Sequence, residues 1–432
     1  MMKTDACKRL AERLVNGEWG ERIDRANIAA ADAIIDADPV WVDVRTAGEV
    51  IEGLGDYTVT HSGPPIAFED MTLLHRRGMI SACLFEGWAK NENEAIKLIE
   101  SGKIRILSAL DTNTDGSGTG IMTGSVPVLV VKDKKCGKVA ALFPSEGPVH
   151  QGGFCGWGLY SPEIADNLRA LREHLLPPIA EALRRMGGLP LRDIIAESLT
   201  MGDENHSRQT AAGLLLEHRL VPALLKLGPC ASDSIRYLME TPRFFHNLGQ
   251  AASRAACLAN AGRAYSTVVT AAGGNGVEFG VKLAATGDEW FTAPSPMIRG
   301  KYLSEKTVAS DQIPWCGDSS VTECAGLGGI AAAAAPIVCH TRGETLADGV
   351  AQTREMEKIC VKNNPRYPIP NLDFDCLPVG IDARKVVSSG ITPAIHGGMF
   401  SKDGGLLGAG VARIPMECFE KALVAFAEKY GL

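Results

Sequence analysis

The stretch LTMGDENHSRQTA at residues 199–211 brings two carboxylates, an imidazole and a guanidinium close together in the chain. A carboxylate can orient or deprotonate a neighbour, an imidazole can transfer a proton, and a guanidinium can bind an anion. We therefore interpret these four side chains as candidate catalytic residues. Asp203 or Glu204 is the expected base or orienting group. His206 is the expected donor and Arg208 the expected anion clamp.

Two other interpretations of this cluster stay open. Asp203 can cap a helix that begins near Asn205, where the helix dipole favours a negative charge. Asp203, Glu204 and His206 can also be considered as metal ligands, but their spacing matches no standard ligand motif. We therefore expect no metal ion here.

A second candidate site is the segment GDSSVTECAGLGG, where polar residues precede a glycine turn and an alanine-rich helix. Exposed backbone amides at the start of a helix attract phosphate or carboxylate groups. The same residues also suit a capped, tightly packed buried helix, and both interpretations stay open. The candidate anion-binding residues in this segment are Gly317, Asp318, Ser319, Ser320 and Glu323.

Other stretches add candidate substrate-binding residues. The motif THSGPP follows a short β-like run, and a Gly-Pro-Pro loop is rigid enough to form a site wall or a structural turn. Glu86 and Lys90 are spaced i, i+4, so on a helix they can pair instead of binding substrate. The candidates from these stretches and from the glycine-rich C-terminal region are His61, Ser62, Gly63, Glu86, Lys90 and His396.

Composition points to an acidic small-molecule enzyme. The 432 residues include 44 Lys plus Arg against 51 Asp plus Glu, with no basic stripe, so we expect no nucleic-acid partner. The apolar run at residues 330–339 is shorter than the roughly 20 residues that cross a bilayer, so we expect no membrane association. The N-terminus lacks a secretory signal pattern, and the 12 cysteines form no C-x-x-C pair, which favours a cytoplasmic location.

Several common motifs are absent from the sequence. It contains no P-loop, no H-E-x-x-H and no G-x-S-x-G. The segment GLGGIA matches the dinucleotide fingerprint, but the residues before it, DSSVTECA, are not a hydrophobic strand. Nucleotide-binding, zinc-protease and α/β-hydrolase classes therefore lose their usual support.

The elements that must position these residues follow from hydrophobic periodicity. Between residues 22 and 160, helix-like and strand-like segments alternate. The glycine-bearing loops at 115–120 and 144–158 lie at predicted strand ends, where α/β proteins bind ligands. The predicted elements here are a helix over 94–101 and strands over 104–109, 126–131 and 139–143.

The middle of the chain has a helical pattern, and the α/β alternation returns after residue 262. Prolines 177, 178 and 222 are expected to break or kink the long helices, and Gly262 is expected to cap the last one. The predicted elements are helices over 244–261, 345–361 and from 416, and a hairpin of 265–271 with 277–284 around a GGN turn. We therefore predict a multidomain α/β (α+β) protein with two α/β domains, 1–160 and 263–432, and a helical middle domain, 161–262.

A set of motifs in a fixed order carries a family resemblance. The motifs are SGPP with SACLFEGWAK, LTMGDENHSR, GNGVEFGVKL with EWFTAP, GDSSVTECAGLGG, and GITPAIHGG with GAGVARIP. In this order, over roughly residues 22 to 430, they resemble the YahG/YlbE-like bacterial proteins, long catalogued as a domain of unknown function. The resemblance implies an α/β protein with an inserted helical domain.

The resemblance also implies a pathway. Some family members belong to allantoin-degradation systems in purine catabolism and are similar to a subunit of oxamate carbamoyltransferase. That enzyme interconverts oxalurate plus phosphate with oxamate plus carbamoyl phosphate. The implied partners are a small anionic amide, phosphate, an FdrA-like subunit and a third subunit. Assembly of the chain into a homo-oligomer is a further alternative. Carbamoyl transfer requires no cofactor, and we expect none.

The first functional hypothesis is therefore a cytoplasmic carbamoyltransferase subunit. The chain lacks the S-T-R-T loop and the H-P-x-Q motif of aspartate- and ornithine-type transcarbamylases, so it does not have that fold. One alternative is a non-catalytic scaffold subunit for an FdrA-like partner. Another is a stand-alone hydrolase or isomerase of a small carboxylate or amide.

Overall fold

The computed structural model describes residues 2–147 and 153–432. The α-helices are α1 (Met2–Val15), α2 (Gly17–Asp36), α3 (Ala47–Val50), α4 (Leu73–Phe85), α5 (Glu92–Glu100), α6 (Phe154–Trp157), α7 (Pro162–Ala170), α8 (Leu176–Met186), α9 (Arg192–Thr200), α10 (Thr210–Leu225), α11 (Ser232–Glu240), α12 (Phe244–Leu258), α13 (Val321–Cys324), α14 (Pro336–Thr341), α15 (Leu346–Glu357), α16 (Ala383–Ser389) and α17 (Met416–Tyr430). The strands are β1 (Pro39–Thr46), β2 (Thr58–His61), β3 (Arg105–Ser108), β4 (Pro127–Asp133), β5 (Val139–Leu142), β6 (Leu189–Pro190), β7 (Val269–Asn275), β8 (Glu278–Leu283), β9 (Phe291–Pro294), β10 (Arg299–Tyr302), β11 (Cys316–Gly317), β12 (Cys360–Pro368), β13 (Cys376–Ile381), β14 (Ala394–Phe400) and β15 (Leu406–Arg413).

The strands form several small sheets instead of one large sheet. Two sheets have four strands, in the orders β5-β4-β1-β6 and β11-β7-β8-β9, and a third has the order β10-β15-β14. All the pairs in these sheets are antiparallel, whereas β2 and β3 form a parallel pair. Strands β12 and β13 form a further antiparallel pair. This mixture of helices and sheets confirms the predicted α/β (α+β) class.

Two hydrophobic cores hold the elements together. The first draws mainly on buried side chains between Trp41 and Ala255, including the apolar faces of β4, β5 and α8. The second combines the N-terminal helices α1 and α2 with buried side chains from Cys257 to Phe426. Helix α12 contacts β4, β5 and α10 on one side and β7, α13 and α2 on the other. Its side chains are almost all buried, so α12 joins the two cores.

Local signals explain where many of the helices begin. In α4, α5, α7, α15 and α16, a side-chain oxygen accepts a hydrogen bond from a backbone amide of the first turn. The first-turn amides have no carbonyl partner within the helix, so these side chains satisfy them. The capping residues are Thr72, Asn91, Ser161, Thr345 and Asp382.

Most of the predicted elements are present. The helix at 94–101 corresponds to α5, and the strands at 104–109, 126–131 and 139–143 correspond to β3, β4 and β5. The predicted hairpin is formed by β7 and β8, and the final helix begins at Met416. The division at residues 160 and 262 stays a prediction, since the cores show only which segments pack together.

Some local predictions are wrong. Helix α12 ends at Leu258 with Ala259 as its C-cap, so Gly262 lies beyond the helix and does not cap it. The GGN sequence forms the end of β7, and the turn follows it at Gly276, whose φ is +80°. The side chain of Asn275 stabilises this turn by accepting hydrogen bonds from the amides of Val277 and Glu278.

The prolines have smaller effects than expected. Pro177 and Pro178 lie in the first turn of α8, directly after a π-helical turn at Leu171–Leu175. Pro222 lies within α10, which continues to Leu225. The alanine-rich segment after the glycine turn is a 3₁₀ helix, Gly328–Ala334, and not an α-helix. In the part of the chain that the structure describes, no helix has the length and apolar character needed to cross a membrane.

The buried guanidinium of Arg384 fixes α1 and α2 to the second core, and its removal tests that link. It donates to Asp382 at 2.8 Å, to Asp24 at 2.6 Å and to the Leu14 carbonyl at 2.8 Å. We expect Arg384→Met to lower the free energy of unfolding by roughly 3–5 kcal/mol, because Asp382 is left buried without its partner.

Urea unfolding measures this loss. The control is Arg25→Met, which removes an exposed pair whose charged atoms are 3.8 Å apart and is expected to change stability by less than about 0.5 kcal/mol. Equal effects of the two substitutions would contradict the proposed role of Arg384.

Candidate functional site

A cavity of about 240 Å³ lies where the two cores meet. Typical ligand pockets have volumes of roughly 300–1,000 Å³, so this cavity suits a small molecule. Its walls come from the loops near residues 117 and 145, the first turn of α12, the loop before α10, and strands β14 and β15. Its polar lining side chains include Ser117, Glu146, His206, Ser207, Arg243, His246 and Ser319.

His206 forms a carboxylate–imidazole pair with Glu323. Its Nδ1 lies 2.8 Å from Oε1 and 2.9 Å from Oε2 of Glu323, and both side chains are buried. Because His206 also lines the cavity, a proton held on Nδ1 by the carboxylate leaves Nε2 for a ligand. A carboxylate that orients an imidazole in this way is a recurrent element of acid–base catalysis.

Glu323 is held in place by several donors at once. Its Oε1 accepts hydrogen bonds from the amides of Gly329 at 2.8 Å and His396 at 3.0 Å. Its Oε2 accepts one from the hydroxyl of Thr322 at 2.9 Å. These bonds compensate for the loss of water around a buried charge, so the carboxylate can remain ionised.

The environment of His206 favours its protonated form. Burial alone lowers the pKa of an imidazole, but the charge of Glu323 and the hydrogen bond to it outweigh burial and raise the pKa of His206. Glu204 acts in the same direction, whereas Arg243 opposes it. The raised pKa brings proton transfer by His206 closer to neutral pH.

A second imidazole, that of His246, lines the same cavity. Its ring centroid lies 6.2 Å from that of His206. Its Nδ1 lies 2.8 Å from the side-chain nitrogen of Gln209, and its Nε2 lies 3.4 Å from the hydroxyl of Ser117. Burial and the positive charges of Arg243 and His206 lower the pKa of His246 well below its usual value. The two cavity imidazoles therefore have opposite pKa shifts.

Arg243 is the cation of the cavity. It precedes α12 and is exposed at the cavity wall. Within residues 2–147 and 153–432, its guanidinium makes no hydrogen bond and no ion pair. An arginine with unused donors is suited to bind a carboxylate or a phosphate in bidentate fashion.

The buried carboxyl of Glu146 faces the cavity as well. Burial raises its pKa to about 7, although the amides of Phe154 and Cys155 donate to it at 2.9 and 2.8 Å. A carboxyl group that is partly protonated near neutral pH repels an anionic ligand less than an ionised one does.

Of the four residues in the opening cluster, only His206 lines the cavity. Glu204 is fully buried and accepts hydrogen bonds from the amides of His206, Ser207 and Arg208, which fold the loop around it. Burial alone raises the pKa of Glu204, but the interaction with His396, the charge of His206 and the His206 amide outweigh burial and lower it. Glu204 thus shapes the loop that presents His206.

Asp203 and Arg208 interact with each other behind the cavity. Their charged atoms are 3.1 Å apart, and Asp203 also accepts a hydrogen bond from the amide of Ala212 in the first turn of α10. Asp203 thus accepts a first-turn amide of α10, as a helix cap would, but the helix begins at Thr210 with Gln209 as its N-cap residue, so the predicted helix start near Asn205 is wrong. Arg208 does not line the cavity.

His396 lies in β14, directly before the cavity-lining Gly397, and does not itself line the cavity. Its Nε2 accepts hydrogen bonds from Arg342 and, at 3.1 Å, from the amide of Gln352, because neither donor group can accept one. The remaining ring proton must then be on Nδ1, which lies 3.5 Å from Glu204. Burial and the charge of Arg342 lower the pKa of His396, in agreement with a neutral ring.

In the GDSS segment, Ser319 lines the cavity and its neighbours have structural contacts. The carboxylate of Asp318 accepts hydrogen bonds from the amides of Gly63 at 2.7 Å and Gly116 at 2.9 Å. Ser320 donates to the Ala272 carbonyl at 2.6 Å, and Gly317 pairs with β7. The backbone amides near Asp318 therefore bind a carboxylate of the chain itself.

The THSGPP loop is buried next to this segment. His61 contacts the Ser62 carbonyl through Nδ1 at 2.7 Å, and Ser62 lies 3.2 Å from Nε2 of His75. Burial lowers the pKa of His61 to about 4 and that of His75 to about 3, so both are neutral. Gly63 has a φ of +78°, and a Cβ there would lie 2.4 Å from Gly274, so the loop packs directly on β7.

Glu86 and Lys90 do not form the expected helical pair. Helix α4 ends at Phe85 and α5 begins at Glu92, so the two residues lie in the intervening turn. Glu86 instead accepts a hydrogen bond from the hydroxyl of Ser125 at 2.6 Å, and Lys90 is exposed. Neither residue lines the cavity.

Sequence reasoning missed Arg243, His246 and Glu146. The signal for the first two was present, since PRFFHN places an arginine and a histidine at the start of a predicted buried helix. Both predicted loops at strand ends contribute to the wall, through Ser117, Gly118 and the segments at 144–147 and 156–157. Residues 148–152 of the second loop lie outside the described residues. In the described ranges, no group of three or more His, Cys, Asp and Glu side chains could hold a metal ion.

Comparisons with known proteins give one consistent result. The family model described as oxamate carbamoyltransferase subunit AllG matches residues 104–319. The chain is 35% identical to the Escherichia coli K12 oxamate carbamoyltransferase subunit AllG over 95% of this chain and 99% of that protein. It is 32% identical to the uncharacterized Escherichia coli K12 protein YahG, over 98% and 89% of the two chains. A crystal structure of a conserved protein of unknown function from Enterococcus faecalis V583 superposes with a TM-score of 0.90 at 31% identity, covering 94% of this chain and 98% of that one.

The pair of His206 and Glu323 makes a prediction about protonation. We expect Glu323→Gln to lower the pKa of His206, because the charge that opposes the desolvation of the imidazolium is removed. The pKa of His206 in the folded state is raised above the value of about 6.5 that an imidazole has in the unfolded chain. The pair therefore contributes its full stabilisation below about pH 6.5. This contribution is lost as the pH rises through the raised pKa. The loss of stability in Glu323→Gln should therefore be largest in mildly acidic solution.

Histidine NMR titration measures the pKa of His206, and urea unfolding at several pH values measures the stability. The control is Glu173→Gln, which removes a half-exposed carboxylate paired with Arg172. An unchanged pKa of His206 in Glu323→Gln would refute the proposed coupling.

Proposed function

Because the chain belongs to the family described as oxamate carbamoyltransferase subunit AllG, we propose that it is a catalytic subunit of a cytoplasmic carbamoyltransferase in allantoin catabolism. The proposed reaction interconverts oxalurate plus phosphate with oxamate plus carbamoyl phosphate. The observation that carries a catalytic role is the pairing of His206 with Glu323 in a cavity that also contains Arg243. The proposed partners are an FdrA-like subunit and a third subunit.

The chemistry of carbamoyl transfer fits the groups in the cavity. The nitrogen of oxamate attacks the carbonyl carbon of carbamoyl phosphate, so a C–N bond forms as the C–O bond to phosphate breaks. The amide proton passes to Nε2 of His206, and inorganic phosphate leaves. In the reverse direction, a phosphate oxygen attacks the carbamoyl carbon of oxalurate, and His206 returns the proton to the departing oxamate nitrogen.

Each cavity group has a defined part in this proposal. Glu323 holds Nδ1–H of His206, so that Nε2 exchanges the proton with substrate. Arg243 binds the carboxylate or the phosphate of the substrates, since its donors are unused by the described residues. The original candidates Asp203, Glu204 and Arg208 act as positioning residues, because they hold the loop that carries His206.

The size of the cavity is consistent with these substrates. A volume of about 240 Å³ leaves room for molecules as small as oxamate and carbamoyl phosphate. The hydroxyls of Ser117, Ser207 and Ser319 offer further hydrogen bonds to phosphate or carboxylate oxygens. No side chain of the protein forms a covalent bond with a substrate in the proposed step.

Substitution of His206 separates a catalytic subunit from a scaffold. We expect His206→Asn to reduce carbamoyl transfer by roughly 10²–10⁴-fold in the complex with the FdrA-like and third subunits, because general acid–base catalysis is lost. The matched control is His174→Asn, which changes an exposed histidine that does not line the cavity. Steady-state transfer rates give the comparison, and size-exclusion chromatography checks that the complex assembles. Transfer within a few-fold of the parent rate in His206→Asn would favour the scaffold alternative.

Substitution of Arg243 tests substrate binding. We expect Arg243→Ala to raise the KM for an anionic substrate by roughly 10–100-fold with a smaller change in kcat, because a charge-assisted hydrogen bond is worth about 1.5–3 kcal/mol. The control is Arg236→Ala on α11, which removes an exposed pair with Asp233. A loss confined to kcat would show that Arg243 does not bind the substrate anion.

A further inference from the structure

The position of the ring proton on His246 follows from its neighbour Gln209. The side-chain nitrogen of Gln209 donates to the carbonyl of His206, and it also lies 2.8 Å from Nδ1 of His246. An amide nitrogen has two protons to donate and no lone pair with which to accept. Nδ1 of His246 must therefore be the acceptor.

The opposite orientation of the Gln209 amide is excluded by the same contacts. Rotating the amide would place its oxygen against the carbonyl oxygen of His206, and two acceptors would face each other. In a neutral ring with Nδ1 unprotonated, the proton is on Nε2. The contact that fixes the loop of His206 therefore also fixes the tautomer of His246.

The Nε2–H group of His246 is only weakly held by the protein. Its neighbour in this direction is the hydroxyl of Ser117, at the long distance of 3.4 Å. Gln250 also approaches this hydroxyl, at 3.5 Å, so Ser117 has a second weak donor. His246 and Ser117 both line the cavity, which leaves the Nε2–H donor available to a ligand.

Burial and the neighbouring charged groups keep the ring of His246 neutral. Arg243 is the N-cap residue of the helix that carries His246, and His206 faces it from the loop before α10. Burial and the positive charges of Arg243 and His206 outweigh a hydrogen bond to the His206 backbone, which acts in the opposite direction, and lower the pKa of His246. Among enzymes, a neutral imidazole with a lowered pKa can serve as an electrophile that polarises a carbonyl group.

We propose that His246 is a catalytic hydrogen-bond donor whose neutral Nε2–H binds the carbonyl oxygen of the carbamoyl group. This inference rests on the proposed function. As the oxamate nitrogen attacks, the carbonyl π electrons move onto this oxygen, and the donor stabilises the resulting negative charge. The electrons return when the bond to phosphate breaks. His246 keeps its proton throughout, while His206 exchanges one with the substrate nitrogen.

The spacing of the two rings supports this division of labour. Their centroids are 6.2 Å apart, and both rings line the same cavity. A small planar carbamoyl group can therefore contact one ring through its oxygen and the other through the attacking nitrogen. The site thereby selects substrates with a carbonyl oxygen next to the nitrogen that gains or loses a proton.

The first test reads the tautomer directly in the isolated chain. In ¹⁵N-histidine-labelled protein, long-range ¹H–¹⁵N correlation spectra distinguish Nδ1–H from Nε2–H, and His246→Gln assigns the signals. We expect a neutral ring with the proton on Nε2 between pH 6 and 8. A proton on Nδ1, or a charged ring in this range, would overturn the inference whatever the activity of the complex.

The second test compares two substitutions in the assembled complex. A glutamine side chain can place an amide N–H near the position of Nε2, whereas leucine cannot donate. We expect His246→Leu to reduce kcat by roughly 10²–10³-fold and His246→Gln to retain activity within about 10-fold of the parent. A His246→Leu complex with activity within about 3-fold of the parent would also overturn the inference.

The two proposals can fail separately. Loss of activity in His246→Leu together with full activity in His206→Asn would contradict the acid–base role of His206 and leave the donor role of His246 supported. Melting temperatures and assembly of each variant are compared with those of the parent chain. If His246→Leu does not fold, the tautomer measurement on the parent protein still decides the inference.

Discussion

The site depends on the hydrogen bonds that the buried carboxylate of Glu323 accepts. It lies at the end of α13 and binds the imidazole of His206, the amide of Gly329 and the amide of His396. Segments that are distant in the sequence thus meet at one charge. A buried carboxylate without hydrogen-bond donors would strongly destabilise the folded state. The carboxylate therefore keeps its charge only where the fold brings these donors to it. The geometry of His206 is a consequence of this requirement.

The same principle recurs around the cavity. The chain uses its own carboxylates to satisfy backbone amides away from solvent: Asp318 binds those of Gly63 and Gly116, and Glu204 binds those of its own loop. Such amides are a common site for phosphate. Here they are occupied, so in the proposed function the recognition of an external anion falls to the side chain of Arg243 and to the cavity hydroxyls. The internal carboxylates serve instead to hold loops in one shape.

The sequence was most informative where periodicity and local turn chemistry decide structure. The strands β3, β4 and β5 and the β7–β8 hairpin follow from such patterns, and the motifs identified the correct family. The helix predicted near Asn205 begins later because the buried carboxylates of Asp203 and Glu204 organise the preceding loop. The pairing of His206 with Glu323, and the meeting of His206 with His246, depend on tertiary packing that no local pattern encodes. Arg243 was overlooked although PRFFHN places it at the start of a predicted helix, because only the fold shows that this helix start lines the cavity.

Helix α12 crosses from one hydrophobic core to the other, and the cavity opens beside its first turn. The walls therefore come from elements that pack into both cores, from Phe143 after β5 to Ala409 in β15, the strand that places Ala412 in the second core. A molecule that binds between them adds its binding free energy to the cohesion of the two halves. At a concentration one hundred times its Kd, that contribution is about 2.7 kcal/mol. Occupancy of the cavity would thus act as a reversible cross-link within the chain, so that the free energy of unfolding rises with the concentration of the bound molecule.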